Sequence, residues 1–208
     1  MGKMHMLMGK SSSGKDTIKN LLIRKFTPEE WEKFHLSEVH MHTTRPIRTG
    51  EINGKDYWFV DNVFLDKAEA NNEIIEIRKY ETIHGLWSYF THVDSIDLKH
   101  NNYIYLNTLE AYTNLVKYFS SDLIIPYYIY VRDDGERLQR ALDRERRQEN
   151  PKYAELCRRY LADEVDFSLD KLNNIPNLRW YENDNLEICC DQIYQDIRKE
   201  LLKDLRRK

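Results

Sequence analysis

Gly9-Lys10-Ser11-Ser12-Ser13-Gly14-Lys15-Asp16-Thr17 lies between an apolar run, Met4-His5-Met6-Leu7-Met8, and a helix-like stretch, Thr17-Ile18-Lys19-Asn20-Leu21-Leu22-Ile23. Two glycines five apart, with a lysine after the second, allow successive backbone N–H groups to turn inward round an anion. The helix that follows adds its positive end. The stretch reads as a phosphate cradle with Ser11, Ser12, Ser13, Gly14, Lys15, Asp16 and Thr17 as its contacts. An ordinary flexible turn between a strand and a helix is the plainer reading of the same residues. Where such a loop usually carries a hydroxyl that helps to hold Mg²⁺, this chain has Asp16. Asp16 acting through water and the Thr17 hydroxyl are the two candidates for that task.

Outward from this loop, 208 residues suffice for one full core with small inserted lobes. A net charge of -3 argues against nucleic-acid binding through a generally basic surface. The chain has only seven glycines, so it matters that Gly9 and Gly14 serve one loop and Gly50 and Gly54 another. Cys157, Cys189 and Cys190 have neither zinc-site spacing nor the pattern of a disulfide framework, which suits a reduced compartment. The longest apolar run, Leu123 to Val131, is too short to span a bilayer and contains Pro126. No signal-like segment precedes the first strand, so a soluble, cytoplasmic protein without membrane partners is expected.

Further along, Pro28 is placed to open a short helical piece after Thr27. Phe34 to Val60 is rich in Thr, Val, Tyr and Trp, with Gly50 and Asn53-Gly54 as turn signals, and predicts short strands and a hairpin. A helix capped by Asp61 follows, then two alternating strands, Glu73 to Tyr80 and Leu86 to Thr91. Strands at Tyr103–Asn107, Leu123–Val131 and Leu178–Glu182 alternate with helices, the pattern of a parallel sheet covered on both faces. Two charged helices, Gly135–Gln148 and Lys152–Asp166, are broken at Asn150-Pro151. The last helix, from Leu186, puts Cys189, Cys190, Ile193, Ile197 and Leu201 on one stripe, which makes the cysteines core residues.

A second constellation runs from Thr43 to Val60: Thr-Thr-Arg-Pro-Ile-Arg-Thr-Gly-Glu-Ile-Asn-Gly-Lys-Asp-Tyr-Trp-Phe-Val. Arg45 and Arg48, held by Pro46 and followed by a glycine turn and Tyr57, would converge several donors on one phosphate dianion. Alternatively, both arginines are solvated loop charges and Tyr57 is a core aromatic. The string closely resembles the nucleoside-monophosphate segment of guanylate kinases. The resemblance continues through Asn71-Asn72-Glu73-Ile74-Ile75-Glu76 and returns at Asn183-Asp184-Asn185-Leu186-Glu187.

The resemblance implies a P-loop NTPase-type α/β fold, a three-layer core with a parallel sheet spanning residues 1–34, 96–134 and 167–208. A mixed α/β GMP-binding lobe would occupy 35–95 and a helical lid 135–166. It implies ATP-dependent phosphorylation of GMP, and of dGMP, with ATP and Mg²⁺ as the other ligands. By resemblance, Lys15 and the loop hold ATP together with Asn183. Arg45, Arg48 and Tyr57 hold the acceptor phosphate, with Glu51 orienting an arginine or contacting ribose. Glu76 accepts from guanine N1–H and N2–H, seconded at Asn107, where the family carries an aspartate. Lid arginines meet the transferred group, with Arg144 and Arg159 taken over Arg146 and Arg158. Three further departures stand out: Met41 replaces a family serine, Trp87-Ser88-Tyr89 takes the place of Tyr-Gly-Thr/Ser, and the turn after Glu145 is altered. His84 falls in the base-side loop. Lys15→Ala or Arg45→Ala is expected to remove most turnover with little loss of fold. The rival readings are a non-catalytic, phosphopeptide-binding module of the same fold and a kinase for another nucleoside monophosphate. Oligomeric state is not legible.

Overall fold

The computed structural model describes residues 1–82 and 85–206; His84 lies outside the described residues. In chain order the elements are β1 (Met4–Met8), α1 (Lys15–Lys25), α2 (Pro28–Lys33), β2 (Leu36–Glu38), β3 (His42–Thr43), β4 (Trp58–Phe59), α3 (Asn62–Ala70), β5 (Ile74–Thr82) and β6 (Gly85–His92). The second half adds β7 (Asn102–Leu106), α4 (Leu109–Phe119), β8 (Ile124–Tyr130), α5 (Asp134–Arg146), α6 (Tyr153–Asp166), α7 (Leu169–Asn173), β9 (Arg179–Glu182) and α8 (Leu186–Arg206).

The main sheet is parallel throughout, in the order β2-β7-β1-β8-β9, with the strand that feeds the glycine loop at its centre. Every residue of β1 is buried, as a strand covered on both faces requires. Met4, Met6 and Met8 pack with Tyr105, Leu115 and Leu172 on the α4 and α7 side. Leu7 packs with Ile18, Leu22, Ile193 and Ile197 on the α1 and α8 side. Cys189 and Cys190 belong to that second layer, and burial pushes the Cys189 thiol up to about 12, which keeps it an inert thiol. α2 begins with Pro28 behind a capping box in which the Thr27 hydroxyl and the Glu30 carboxylate each take the other's backbone N–H. Among the described residues, no helix is long and apolar enough to cross a membrane.

A second sheet, β4-β3-β6-β5, stands beside the first. The β5–β6 hairpin forms as the alternation predicts, but the hairpin expected around Asn53-Gly54 does not. There the Asn53 carboxamide accepts from Phe59 N–H at 2.8 Å and Gly54 N–H donates to the Tyr57 carbonyl, so the turn closes on itself. The chain that leaves it runs parallel to β3, through Trp58 N–H to Met41 O and Val60 N–H to Thr43 O. The parallel core sheet also reaches Glu38, past the boundary expected at residue 35, because β2 pairs with β7.

His5, on β1, is fully buried against the Tyr127 hydroxyl at 3.0 Å, and its Nε2 has no partner. Burial lowers its pKa from 6.5 to about 3, so the folded chain keeps this imidazole neutral while the unfolded chain protonates it below pH 6.5. With more protons bound in the unfolded state, stability falls as pH drops. From pH 7.5 to pH 5 this one group is expected to cost about 2 kcal/mol. Urea midpoints at the two pH values in wild type and His5→Gln test it; equal pH dependence in the two proteins would exclude His5 as the cause.

Candidate active site

The glycine loop reverses direction at two left-handed residues, Ser12 (φ 63°) and Gly14 (φ 86°), the second immediately before α1. A side chain at Gly9 would put its Cβ 2.3 Å from the Ile129 carbonyl oxygen. At Gly14 it would lie 2.2 Å from the Asn183 amide nitrogen. Both glycines are thus demanded by the closeness of the loop to β8 and to the β9–α8 junction. Asn183, 2 % exposed, braces the loop by donating to the Ser13 carbonyl at 2.7 Å, so its contact is with the cradle itself. No side chain caps α1, and the N–H groups of its first turn have no helical carbonyl to meet. The Ser12 and Ser13 hydroxyls are buried without partners. Lys15 is tied only weakly, 3.5 Å from the Lys10 carbonyl and 3.6 Å from the Asp16 carboxylate. Unmet amides, orphaned hydroxyls and a loosely held ammonium are what a phosphate chain would satisfy.

The lid helices close onto this loop with carboxylates. Asp163 accepts from Ser11 N–H at 2.8 Å, and Glu164 pairs with Lys10 at 2.7 Å. Between them lies Arg137, 1 % exposed, bonded to Asp134, Asp163 and Glu164 and set 4.0 Å from the centre of the Tyr160 ring. Three carboxylates offset the desolvation of one guanidinium, so α5 and α6 are riveted to the loop by a charge cluster around one buried cation. Arg140 adds a bond to the Asn183 carbonyl. The two lid arginines expected at the site are elsewhere. Arg144 is exposed, and Arg159 is 43 % exposed beside Glu155; no hydrogen bond or ion pair joins either to the loop. The reason is local: Glu145 turns inward to accept from Lys152 N–H and Gln148, which rotates its neighbours outward. The sequence shows Arg137 only as one of a stripe of arginines with Arg140, Arg144 and Arg147, and not its burial at the loop, because two of its acidic partners are 26 and 27 residues away. On the far side of Lys10 and Arg137 lies a cavity of about 600 Å³ walled by Tyr128, Tyr130 and Trp180. None of the expected acceptor residues lines it.

Arg45 is 3 % exposed and spends most of its donors internally. It forms a fork with Glu51 at 2.7 and 3.0 Å, donates from Nη1 to the Pro46 carbonyl and from Nε to the Tyr89 hydroxyl at 3.1 Å, and leaves one Nη2 hydrogen free. The expectation that Arg45→Ala spares the fold is therefore corrected: it would leave Glu51 without its partner. Glu51 also accepts from Arg48 N–H at 2.8 Å, so it orients arginines and is not free for a ribose. These bonds to Arg45 hold its carboxyl below the usual range. The Arg48 side chain is exposed and makes no hydrogen bond or ion pair among the described residues.

At the other end of the second sheet, Glu76 is buried, its Oε1 accepting from Thr91 at 2.8 Å and from Asn107 at 3.3 Å. Asn107 faces it with Nδ2, because its own oxygen takes Thr108 N–H at 2.9 Å. Arg78, unmarked by any sequence pattern, pairs with the same carboxylate, Nε at 3.2 Å, and also reaches Thr108 and the Met41 sulfur. Register sets Thr91 opposite Glu76 and Tyr89 opposite Arg78. The hydroxyls that meet Glu76 and Arg45 are thus those of Thr91 and Tyr89, two residues later than the Trp87-Ser88-Tyr89 alignment expects for its own last and first members.

Tyr57 packs edge-on against Phe59 and Tyr89, with the Arg45 guanidinium 5.5 Å from the centre of its ring. Burial raises its phenol above the ordinary value, and the charges acting on it are those of Tyr89, Arg45, Arg78 and Asp16. Arg158 on α6 is exposed and bonds to Glu155 at 2.7 and 2.8 Å.

A central parallel strand ending in a glycine loop, a flanking mixed lobe and a helical lid define a P-loop NTPase-type α/β protein. The guanylate kinase family model matches residues 1–169, and the chain belongs to the guanylate kinase family. Among curated relatives, guanylate kinase of Lactobacillus delbrueckii subsp. bulgaricus is 39 % identical over 80 residues, 38 % of this chain and 36 % of that protein. That of Thermobifida fusca is 38 % identical over 74 residues, 36 % and 34 % of the two chains. The matched stretch thus spans about a third of the length of these relatives. A crystal structure of guanylate kinase from Anaplasma phagocytophilum superposes with a TM-score of 0.62 over 96 % of this chain and 86 % of that one, at 18 % identity, a likeness of fold.

Proposed function

We propose that this protein is a guanylate kinase that moves the γ-phosphoryl group of ATP to GMP, and to dGMP, and that it does so with a core, an acceptor lobe and a lid. The observation that carries this reading is the glycine loop at the head of α1, whose first-turn amides have no side-chain cap and whose Ser12 and Ser13 hydroxyls are buried without partners. The loop amides and Lys15 hold the donor's phosphates; Arg48, with the one spare N–H of Arg45, holds the acceptor phosphate; Glu76 lies at the base. An acceptor phosphate oxygen attacks the γ-phosphorus in line, the bond to the bridging oxygen breaks, and ADP leaves with the electron pair. No protein nucleophile is required. Lys15 stabilises charge that develops on the transferred group.

The loop fits a phosphate chain by its unmet amides and by the two glycine positions a Cβ would fill. Asp16, exposed at the mouth, is a hard oxygen donor suited to Mg²⁺ through water, with the Thr17 hydroxyl beside it. When bound, Mg²⁺ supplies neutralisation of the donor's charge. Asp163 sits on Ser11 N–H, where a donor phosphate would go, so donor binding requires the Asp163 carboxylate to withdraw with α6.

Turnover of GMP, dGMP, AMP, CMP and UMP with ATP and Mg²⁺ tests the reading. GMP and dGMP are expected to exceed the other three by about 10²-fold or more. Turnover of none of them, with phosphopeptide binding in its place, would overturn it.

A further inference from the structure

The lid helix α6 has 14 residues, of which only Leu156 is buried. Charge, and little apolar surface, docks it on the glycine loop. Asp163 accepts from Ser11 N–H at 2.8 Å and lies 3.4 Å from Arg137 Nη1, while Glu164 meets Lys10 at 2.7 Å and Arg137 Nη2 at 2.6 Å. Asp134 on α5 completes the cluster, 2.8 Å from Arg137 Nε and 3.8 Å from Lys10. Two cations therefore face three carboxylates, and the rim of a loop suited to a polyanion carries surplus negative charge. Asp163 bonds to the loop backbone itself, and its side chain is 14 % exposed. An anionic oxygen accepting from an amide of such a loop is the chemistry of a bound phosphate, supplied here by the chain's own carboxylate.

We infer that α6 is a self-inhibiting latch, in which Asp163 holds the place of a donor phosphate oxygen and the donor enters by displacing it. The inference rests on the reading of the loop as the donor site, and deepens it. Two features allow the latch to open. With one buried residue, α6 gives up little apolar burial when it lifts. Its C-terminal end also borders the cavity of about 600 Å³, through Glu164 and Phe167, so that end is not packed on every side. Arg137 keeps Asp134 of its own helix when α6 leaves. The donor's phosphates return to the loop the negative charge that departs with Asp163 and Glu164, so the exchange is anion for anion. Apparent affinity for the donor is the intrinsic affinity reduced by the fraction of molecules with the latch open. Run backwards, the same exchange helps ADP to leave, because Asp163 competes for Ser11 N–H.

The test is equilibrium titration with ATP and Mg²⁺, without an acceptor, of wild type, Asp163→Ala and Asp166→Asn. Asp163→Ala is expected to bind ATP about tenfold more tightly than wild type, the gain for a latch closed about ten times as often as it is open. Its thermal midpoint is expected to stay close to wild type, since Arg137 retains Asp134 and Glu164. Asp166→Asn removes the same charge from an exposed position on α6 and is expected to stay within about twofold. With GMP present, the KM for ATP is expected to fall in Asp163→Ala without a rise in kcat, a split that mere damage to the loop would not produce. Unchanged or weaker ATP binding by folded Asp163→Ala overturns the inference, and so does equal tightening by Asp166→Asn, which would make it a matter of net charge. Should Asp163→Ala not fold, Asp163→Asn, which keeps the shape and loses the charge, is read in its place. ATP binding of equal strength in all the proteins sinks the latch and spares the kinase reading; no nucleotide binding by any of them sinks both.

Discussion

Lys15→Ala is expected to lower kcat by about 10³-fold while leaving the thermal midpoint within a few degrees of wild type. The asymmetry follows from how little the fold invests in this ammonium. Its contacts are the Lys10 carbonyl at 3.5 Å and Asp16 at 3.6 Å, and the Asp16 carboxylate is 72 % exposed, so neither bond contributes much. By contrast, the cradle around it is built by parts the mutation does not touch: Gly9 against β8, Gly14 against Asn183, and the Asn183 bond to Ser13. Charge that spreads over a phosphoryl group in flight has to be met by cations already in place, and the buried alternative, Arg137, is committed to three carboxylates. Steady-state turnover and a thermal melt on the same preparation check both halves. A variant within tenfold of wild type would remove Lys15 from the chemistry.

The Arg137 cluster also explains why some of this protein is legible from its residues and some is not. β1, β7 and β8 are covered on both faces, so they read as apolar runs whatever their partners are, and the Thr27-Pro28-Glu29-Glu30 cap is complete within four residues. Gly9 and Gly14 declare a tight loop because nothing else fits there. In β3 and β4, two residues each, the direction of pairing is decided by the Asn53 carboxamide and the Met41 and Thr43 carbonyls, which no local period announces. Arg45 stands out in the sequence as a candidate phosphate ligand, but its burial does not, since Tyr89 comes 44 residues later. Arg78 and Arg137 are hidden for the same reason. A charged residue on a strand or helix reads as solvated until distant elements bring a carboxylate to it, and the chemistry then turns on which donors remain unspent.

That residue of unspent donors makes Arg48→Ala the sharper probe of the acceptor side. Arg45 has one N–H to offer, and its removal would leave the part-buried Glu51 carboxylate without its partner, so its loss would confound binding with stability. Arg48 is exposed, its side chain makes no hydrogen bond or ion pair among the described residues, and its backbone is fixed by Glu51 at 2.8 Å. A charge-assisted fork to a phosphate is worth about 2 to 3 kcal/mol. The expected result is a loss of about 10²-fold in kcat/KM for GMP, carried mainly by KM, with the melt unchanged. The KM for ATP is expected to stay within twofold, because no hydrogen bond or ion pair joins the Arg48 side chain to the glycine loop. A GMP KM within twofold of wild type would mean that the acceptor phosphate is held elsewhere, and that the guanidinium pair is solvated loop charge after all.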